Sequence, residues 1–176
     1  VSIVGHSPGK IDVEEGGPFL GRAGAYENDG LRRFGYDRDD ASYHNVIVCR
    51  PVADNETDEE DFEIFLRKLH KENPESPSPI ENCRPRLLNE LKDAKALLIY
   101  GRISLQQIVN LDGITKYAGH PMQVTVPGTD RKVWAVPTYH PSAVLHEKRL
   151  ATLFEAHVEK ALRIAREGKT RWVDGK

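Results

Sequence analysis

Gly5-His6-Ser7-Pro8-Gly9-Lys10 and Gly17-Pro18-Phe19-Leu20-Gly21-Arg22-Ala23-Gly24 frame a segment too rich in glycine for regular structure. Six glycines and two prolines fall between Gly5 and Gly24. That density predicts an ordered loop or the wall of an active site, not a helix or strand. The β-branched run 1–4 ahead of it predicts a buried strand that stops at Gly5 and delivers the chain into a turn. Such an arrangement points backbone N–H groups at a pocket and suits an anionic or carbonyl-rich ligand. A phosphate loop is the obvious test, and it fails on count. One residue too few separates Gly5 from Gly9-Lys10, and Ile11 stands where Ser or Thr would hold magnesium.

Working outward, residues 25–34 read as a helix ending at Gly35 and 46–48 as a second β-branched strand closed by Cys49-Arg50-Pro51. Helices are expected at 85–91, 104–111 and 150–166, and strands at 96–100 and 132–136. Strands alternating with helices predict an α/β fold, a three-layer α/β/α sandwich around a central, mainly parallel four-stranded sheet. In such folds the ligand sits at the carboxyl ends of the strands, here Gly5 onward, 45–51, Gly101 onward and Thr138 onward. Between 54 and 80 the character changes. Seven acidic residues crowd 54–63, Pro74, Pro77 and Pro79 follow, and Phe62, Phe65, Leu66 and Leu69 keep helical spacing. This reads as an insertion holding one short amphipathic helix, in a domain spanning 1–166, with 167–176 as a tail or linker. Its acidity argues against DNA contact.

The chain has 176 residues, enough for one domain with a substantial core. Lys plus Arg number 25 against 27 Asp plus Glu, a net charge of −2, which excludes nucleic-acid binding through an overall positive field. Any DNA contact must be local. No apolar run reaches the ~18 residues of a membrane span. Mean hydropathy is −0.55, and two cysteines cannot build a disulfide scaffold. A reducing cytoplasm is the expected setting. Val1 already lies inside an apolar run, which reads as an excerpt of something longer.

Taken together, Gly5-His6-Ser7-Pro8-Gly9 and Gly17 to Gly24 resemble the first motif of the uracil-DNA glycosylase superfamily in its family 4, iron–sulfur form. That form has a G-E-A-P-G turn, an acidic stretch and then G-x-P-F-V-G-x-A-G. The resemblance continues through His44-Asn45-Val46-Ile47-Val48-Cys49-Arg50-Pro51 (N-V-V-K-C-R-P) and Asn82-Cys83-Arg84-Pro85-Arg86-Leu87 (C-x-P-x-L). It ends in Pro137-Thr138-Tyr139-His140-Pro141-Ser142-Ala143-Val144-Leu145 (T-x-H-P-S-x-L-L). Any one motif alone is weak; four in order cover most of residues 1–160.

The resemblance implies an enzyme that flips uracil out of DNA, hydrolyses the N-glycosidic bond and leaves an abasic site. Gly5 lets backbone approach the base. Phe19 offers a face for stacking, or is an ordinary core aromatic. Asn45 carries the donor and acceptor that match uracil O4 and N3–H and that cytosine reverses, or else is a turn or cap asparagine; its expected place inside an apolar strand favours the first. His140 faces uracil O2, where negative charge grows as the bond breaks, or is a loop histidine. Ser7 and Ser142 are candidates to grip phosphates. The segment Ser142, Ala143, Val144, Leu145 enters the minor groove, with Leu145 or Val144 filling the vacated space.

His6 departs from the family, which carries glutamate there. A neutral imidazole can accept a proton from the attacking water but cannot stabilise an oxocarbenium-like sugar by charge, and Asp12 is the reserve carboxylate. Family 4 binds a 4Fe-4S cluster through four cysteines; Cys49 and Cys83 match two of them and cannot complete a cluster alone. Two isolated buried cysteines are the other reading. The contrasting functional expectation is a catalytically weak or inactive glycosylase-like domain, serving DNA binding or interaction within a larger replication or repair protein. His6 separates the two. The protein is expected as a monomer or as a domain fused to such a chain.

Overall fold

The computed structural model describes residues 1–51 and 62–168, so most of the acidic run lies outside the described residues. In chain order the elements are β1 (Ser2–Gly5), α1 (Lys10–Glu15), α2 (Arg22–Arg33), β2 (Ser42–Asn45), α3 (Phe62–Glu72) and α4 (Pro79–Leu91). There follow β3 (Ala96–Tyr100), α5 (Gly101–Val109), α6 (Ile114–Tyr117), β4 (Met122–Thr125), β5 (Lys132–Thr138), α7 (Pro141–His146) and α8 (Ala151–Glu167). The strands form one sheet in the order β2-β1-β3-β5-β4. The first four are parallel, and β4 runs antiparallel to β5.

The central strands are apolar on both faces, the pattern of a sheet covered twice. Successive side chains point to opposite sides, so β1 sends Val4 to one core and Ile3 to the other. Likewise β3 divides Leu97 and Ile99 from Leu98 and Tyr100. On the first face pack Phe62 of α3, Leu87 and Leu91 of α4, and Leu105 and Ile108 of α5. On the second pack Leu31 of α2, Val144 of α7, and Phe154, Val158 and Leu162 of α8. Each fully buried Leu, Ile or Phe stabilises the fold by roughly 1.5–3 kcal/mol. No helix among the described residues is long and apolar enough to cross a membrane.

Three sequence expectations need correction. The sheet has five strands, not four. Met122 and Val124 alternate with Gln123 and Thr125, and the turn after Pro127 closes a hairpin, with Val126 N–H bonded to Arg131 O at 2.8 Å. Sheet pairing by the second strand covers 42–45, ahead of the β-branched 46–48. Because β2 is an edge strand, polar Ser42, Tyr43 and His44 are tolerated there. Val46 and Ile47 N–H then follow the first strand past its end, bonding Gly5 O and His6 O. Asn45 is consequently the last residue of its strand and does not sit inside an apolar one. Finally, the glycine-rich segment does contain a short helix, α1, which ends at Gly16 with φ +76°.

Candidate active site

The carboxyl ends of β1, β2 and β5 open on one cleft of about 450 Å³, lined by His6, Ser7, Phe19, Asn45, His140 and Leu145 among others. The parallel register brings this about, since Gly5 pairs with Asn45 across adjacent strand ends. Gly5 is needed for packing. A Cβ there would lie 2.5 Å from Phe19 Cζ and 2.8 Å from Asn45 Oδ1.

Phe19 is 5% exposed and held at φ +56°, a left-handed conformation that costs an L-residue roughly 1–2 kcal/mol. Several contacts enforce it. Arg38 donates to Phe19 O at 3.1 Å and Pro18 O at 2.6 Å, and its guanidinium lies 4.1 Å from the centroid of the Tyr43 ring, which packs on Phe19. Gly24 leaves room for the Phe19 carbonyl, which would sit 1.8 Å from any Cβ at that position. On the other side, the Asp12 carboxylate accepts N–H bonds from Gly9 (3.0 Å), Leu20 (2.6 Å) and Gly21 (3.2 Å). Asp12 lines the cleft, but both its oxygens are engaged in fastening the two glycine motifs together. Backbone strain maintained by this many contacts is typical of functional sites.

His140 caps α7, with Nδ1 accepting from Ser142 N–H at 3.2 Å and lying 2.7 Å from Ser142 Oγ. Its ring stacks on Phe19 at 6.0 Å and meets His6 edge-on at 5.0 Å. Burial, reinforced by the neighbouring His6, pushes its pKa down to about 3. The imidazole is thus neutral near pH 7, and because Nδ1 is the acceptor, the hydrogen bonds assign the proton to Nε2. His6 also packs edge-on against Phe62 at 5.6 Å, so the insertion helix reaches the site.

The remaining predicted residues divide. Ser7 and Ser142 are half-buried in the cleft wall, but the Ser142 hydroxyl sits on His140. Within α7, Val144 is 2% exposed and packed in the core, which removes it as a groove-filling wedge. Its neighbours Ala143 and Leu145 are exposed and half-buried respectively, and only Leu145 lines the cleft. Cys49 is exposed and Cys83 half-buried, and after burial the proximity of Cys83 raises the Cys49 thiol pKa. Two thiols are half the ligand set of a four-iron cluster, and among the described residues no group of three or more His, Cys, Asp or Glu is placed to hold a metal. The pair fits such a cluster only with two further thiolates.

Sequence reading missed the groups beneath and behind the cleft. Glu27 of α2 is fully buried, with Oε1 accepting from Tyr100 OH at 2.8 Å and Oε2 unpartnered. Burial outweighs the Tyr100 bond and the Arg38 charge and raises its pKa to about 8. The Tyr100 ring in turn touches both Phe19 and His140. Behind Asn45, α4 contributes Arg86 and Glu90. Burial disfavours the Glu90 carboxylate, but hydrogen bonds from Arg86 and His44 hold its pKa below the usual value. The i, i+4 spacing of Arg86 and Glu90 was visible in the sequence; their destination was not.

The fold and cleft define a class: α/β domains that take a ligand at the carboxyl edge of a parallel sheet. A model of the Uracil DNA glycosylase superfamily matches residues 1–166, and the chain belongs to that superfamily. Within it the chain is similar to the type-4 uracil-DNA glycosylase of Archaeoglobus fulgidus, 28% identical over 167 residues, 91% of this chain and 74% of that protein. The enzyme of the same description from Thermotoga maritima is 30% identical over 171 residues, 92% of this chain and 75% of that one. That of Sulfurisphaera tokodaii is 25% identical over 175 residues, 99% and 74%.

Proposed function

We propose that this domain excises uracil from DNA, hydrolysing the N-glycosidic bond of deoxyuridine and leaving an abasic site. The observation that carries the reading is Asn45 Oδ1, buried in the cleft wall beside Phe19 without a hydrogen-bond partner among the described residues. A buried orphan acceptor costs about 1–3 kcal/mol. Uracil offers the missing donor at N3–H, with O4 beside it for the amide nitrogen, whereas cytosine presents the reverse pattern. The type-4 relatives support the same substrate.

In this reading Phe19 stacks on the extruded base, and the neutral His140 donates Nε2–H to O2. As the C1′–N1 bond breaks, its electrons pass into the uracil ring, and the imidazole stabilises the charge accumulating on O2. Water adds to C1′, and His6 accepts its proton. Asp12 is not the base, since its oxygens are engaged on three backbone N–H groups. Leu145, half-buried in the cleft wall, fills the gap left in the DNA duplex. A 4Fe-4S cluster would draw on Cys49 and Cys83, neither of which lines the cleft, together with two further thiolates.

The test is cleavage of a single-uracil oligonucleotide, with alkali to reveal abasic sites. Wild type should cut, and Asn45→Ala and His140→Ala should each lower the rate by roughly 100-fold or more. His6→Ala shows whether imidazole serves the water. A wild type that binds this DNA and leaves the uracil in place would refute the enzyme reading in favour of a binding module.

A further inference from the structure

Asn45 reads the base only if its amide is held still, yet among the described residues Oδ1 has no hydrogen-bond partner. Its main chain is held from outside the sheet. Arg86 of α4 donates from Nη2 to Asn45 O at 2.5 Å and from Nη1 to Glu90 Oε2 at 2.6 Å. The same Glu90 oxygen accepts from Nδ1 of His44, the residue before Asn45, at 2.9 Å. One guanidinium fork and one carboxylate therefore clamp two consecutive residues at the carboxyl end of an edge strand that has a sheet neighbour on one side only. Charge-assisted bonds of this kind are short and directional, and the rigid planar guanidinium fixes two of them in one geometry, which the compact, freely rotating ammonium of Lys does not.

Arg86, Glu90 and His44 line an adjoining cavity of about 400 Å³ that shares Pro8, Asp12 and Asn45 with the first cleft, and none of the three lines the wall where Phe19 and His140 meet.

We infer that Arg86, braced by Glu90 and His44, is a positioning residue that sets the Asn45 amide for base reading and so determines specificity for uracil. The inference rests on the proposed glycosylase activity, since it needs a base for Asn45 to read. Displacing a reacting or reading group by ~1 Å commonly costs about 100-fold.

Arg86→Met, which keeps the length of the side chain and loses the fork, should lower kcat/KM on a single-uracil oligonucleotide by between about 10- and 100-fold. In an Asn45→Ala background the same change should cost under about two-fold, because the group being positioned is gone. Arg86→Lys should show the same pattern at smaller size, and serves if Arg86→Met folds poorly. Equal losses in both backgrounds, or wild-type kcat/KM in Arg86→Met, overturn the inference. A second readout does not depend on activity. In ¹⁵N spectra, Arg86→Met should shift the amides of His44, Asn45 and Val46 and leave Leu97 to Ile99 in place. If wild type fails to excise uracil, the proposed function falls on that result alone. The spectra then decide the positioning claim separately, and unchanged Asn45 resonances refute it.

Discussion

Replacing Glu27 by Gln should make the protein's stability less sensitive to alkali. Glu27 has no exposed surface, one oxygen accepts from Tyr100, the other has no partner, and its pKa stands at about 8. A carboxyl raised in this way is neutral when folded and ionised when unfolded throughout the interval between the two values. Its contribution is therefore fully present below the unfolded pKa of 4.5 and is lost as pH rises through the folded one. At 1.36 kcal/mol per pH unit, the interval from 4.5 to about 8 bounds the loss at about 5 kcal/mol. Water entry and relaxation around the anion will reduce it, and about 2 kcal/mol is a conservative expectation. Gln keeps an acceptor for Tyr100 and never ionises. Urea unfolding followed by tryptophan fluorescence, at intervals from pH 5 to pH 9, should show the two proteins near parity at pH 5 and Glu27→Gln progressively more stable above it. Parallel curves across the whole range would refute the reasoning, because they would mean that Glu27 is already ionised in the folded protein.

Acid should destabilise the protein through different groups. Burial, with His6 nearby, holds His140 at about 3, and burial, with Lys160 and His120 nearby, holds His157 at about 4, both down from 6.5. Both are neutral when folded, so stability present above 6.5 is lost as pH falls toward those values. Tm should drop between pH 7 and pH 4, and His157→Gln should flatten that fall; a Tm independent of pH would contradict it. Gly24→Ala should cost at least about 3 kcal/mol and abolish uracil excision, because the new Cβ meets the Phe19 carbonyl at 1.8 Å and neither backbone can give. An unchanged Tm in that variant would show that the Phe19 loop is not seated against α2.

The parts of this molecule that were legible from sequence are those governed by short-range rules. Gly5, Gly101 and Thr138 mark strand ends because apolar runs stop there, whereas the polar strand that ends at Asn45 carries no such signal and was displaced onto the apolar 46–48 that follows it. The hairpin strand β4 was lost because Gln123 and Thr125 dilute a four-residue apolar signal that only its Pro-Gly turn supports. Helical phase would have settled Val144: Pro141 and Val144 lie three apart and both are buried, which turns Ala143 and Leu145 outward. Glu27 could not be foreseen. In the run Ala25-Tyr26-Glu27-Asn28-Asp29 it looks like one more solvated charge, and only the Tyr100 hydroxyl, brought from a distant strand, shows otherwise. Arg86 and Glu90 read as an ordinary surface ion pair, because nothing local indicates that the edge strand runs beside them.

The sheet also carries an implication for the order in which the chain is assembled. Thr125 pairs with Lys132 across a tight turn, whereas Ser2 must find Ser42 on one side and Leu97 on the other. Closing a short loop is fast, and bringing distant segments together is what slows a folding chain. The hairpin of β4 and β5 can therefore form early, on its own, and present the β5 edge on which β3 docks. The first two strands, which carry Gly5 and Asn45, are added through the longest closures. The cleft, shared between the earliest and the latest strands, becomes whole only at the end of folding, and a chain stalled one step short would keep most of its sheet and lack the cleft.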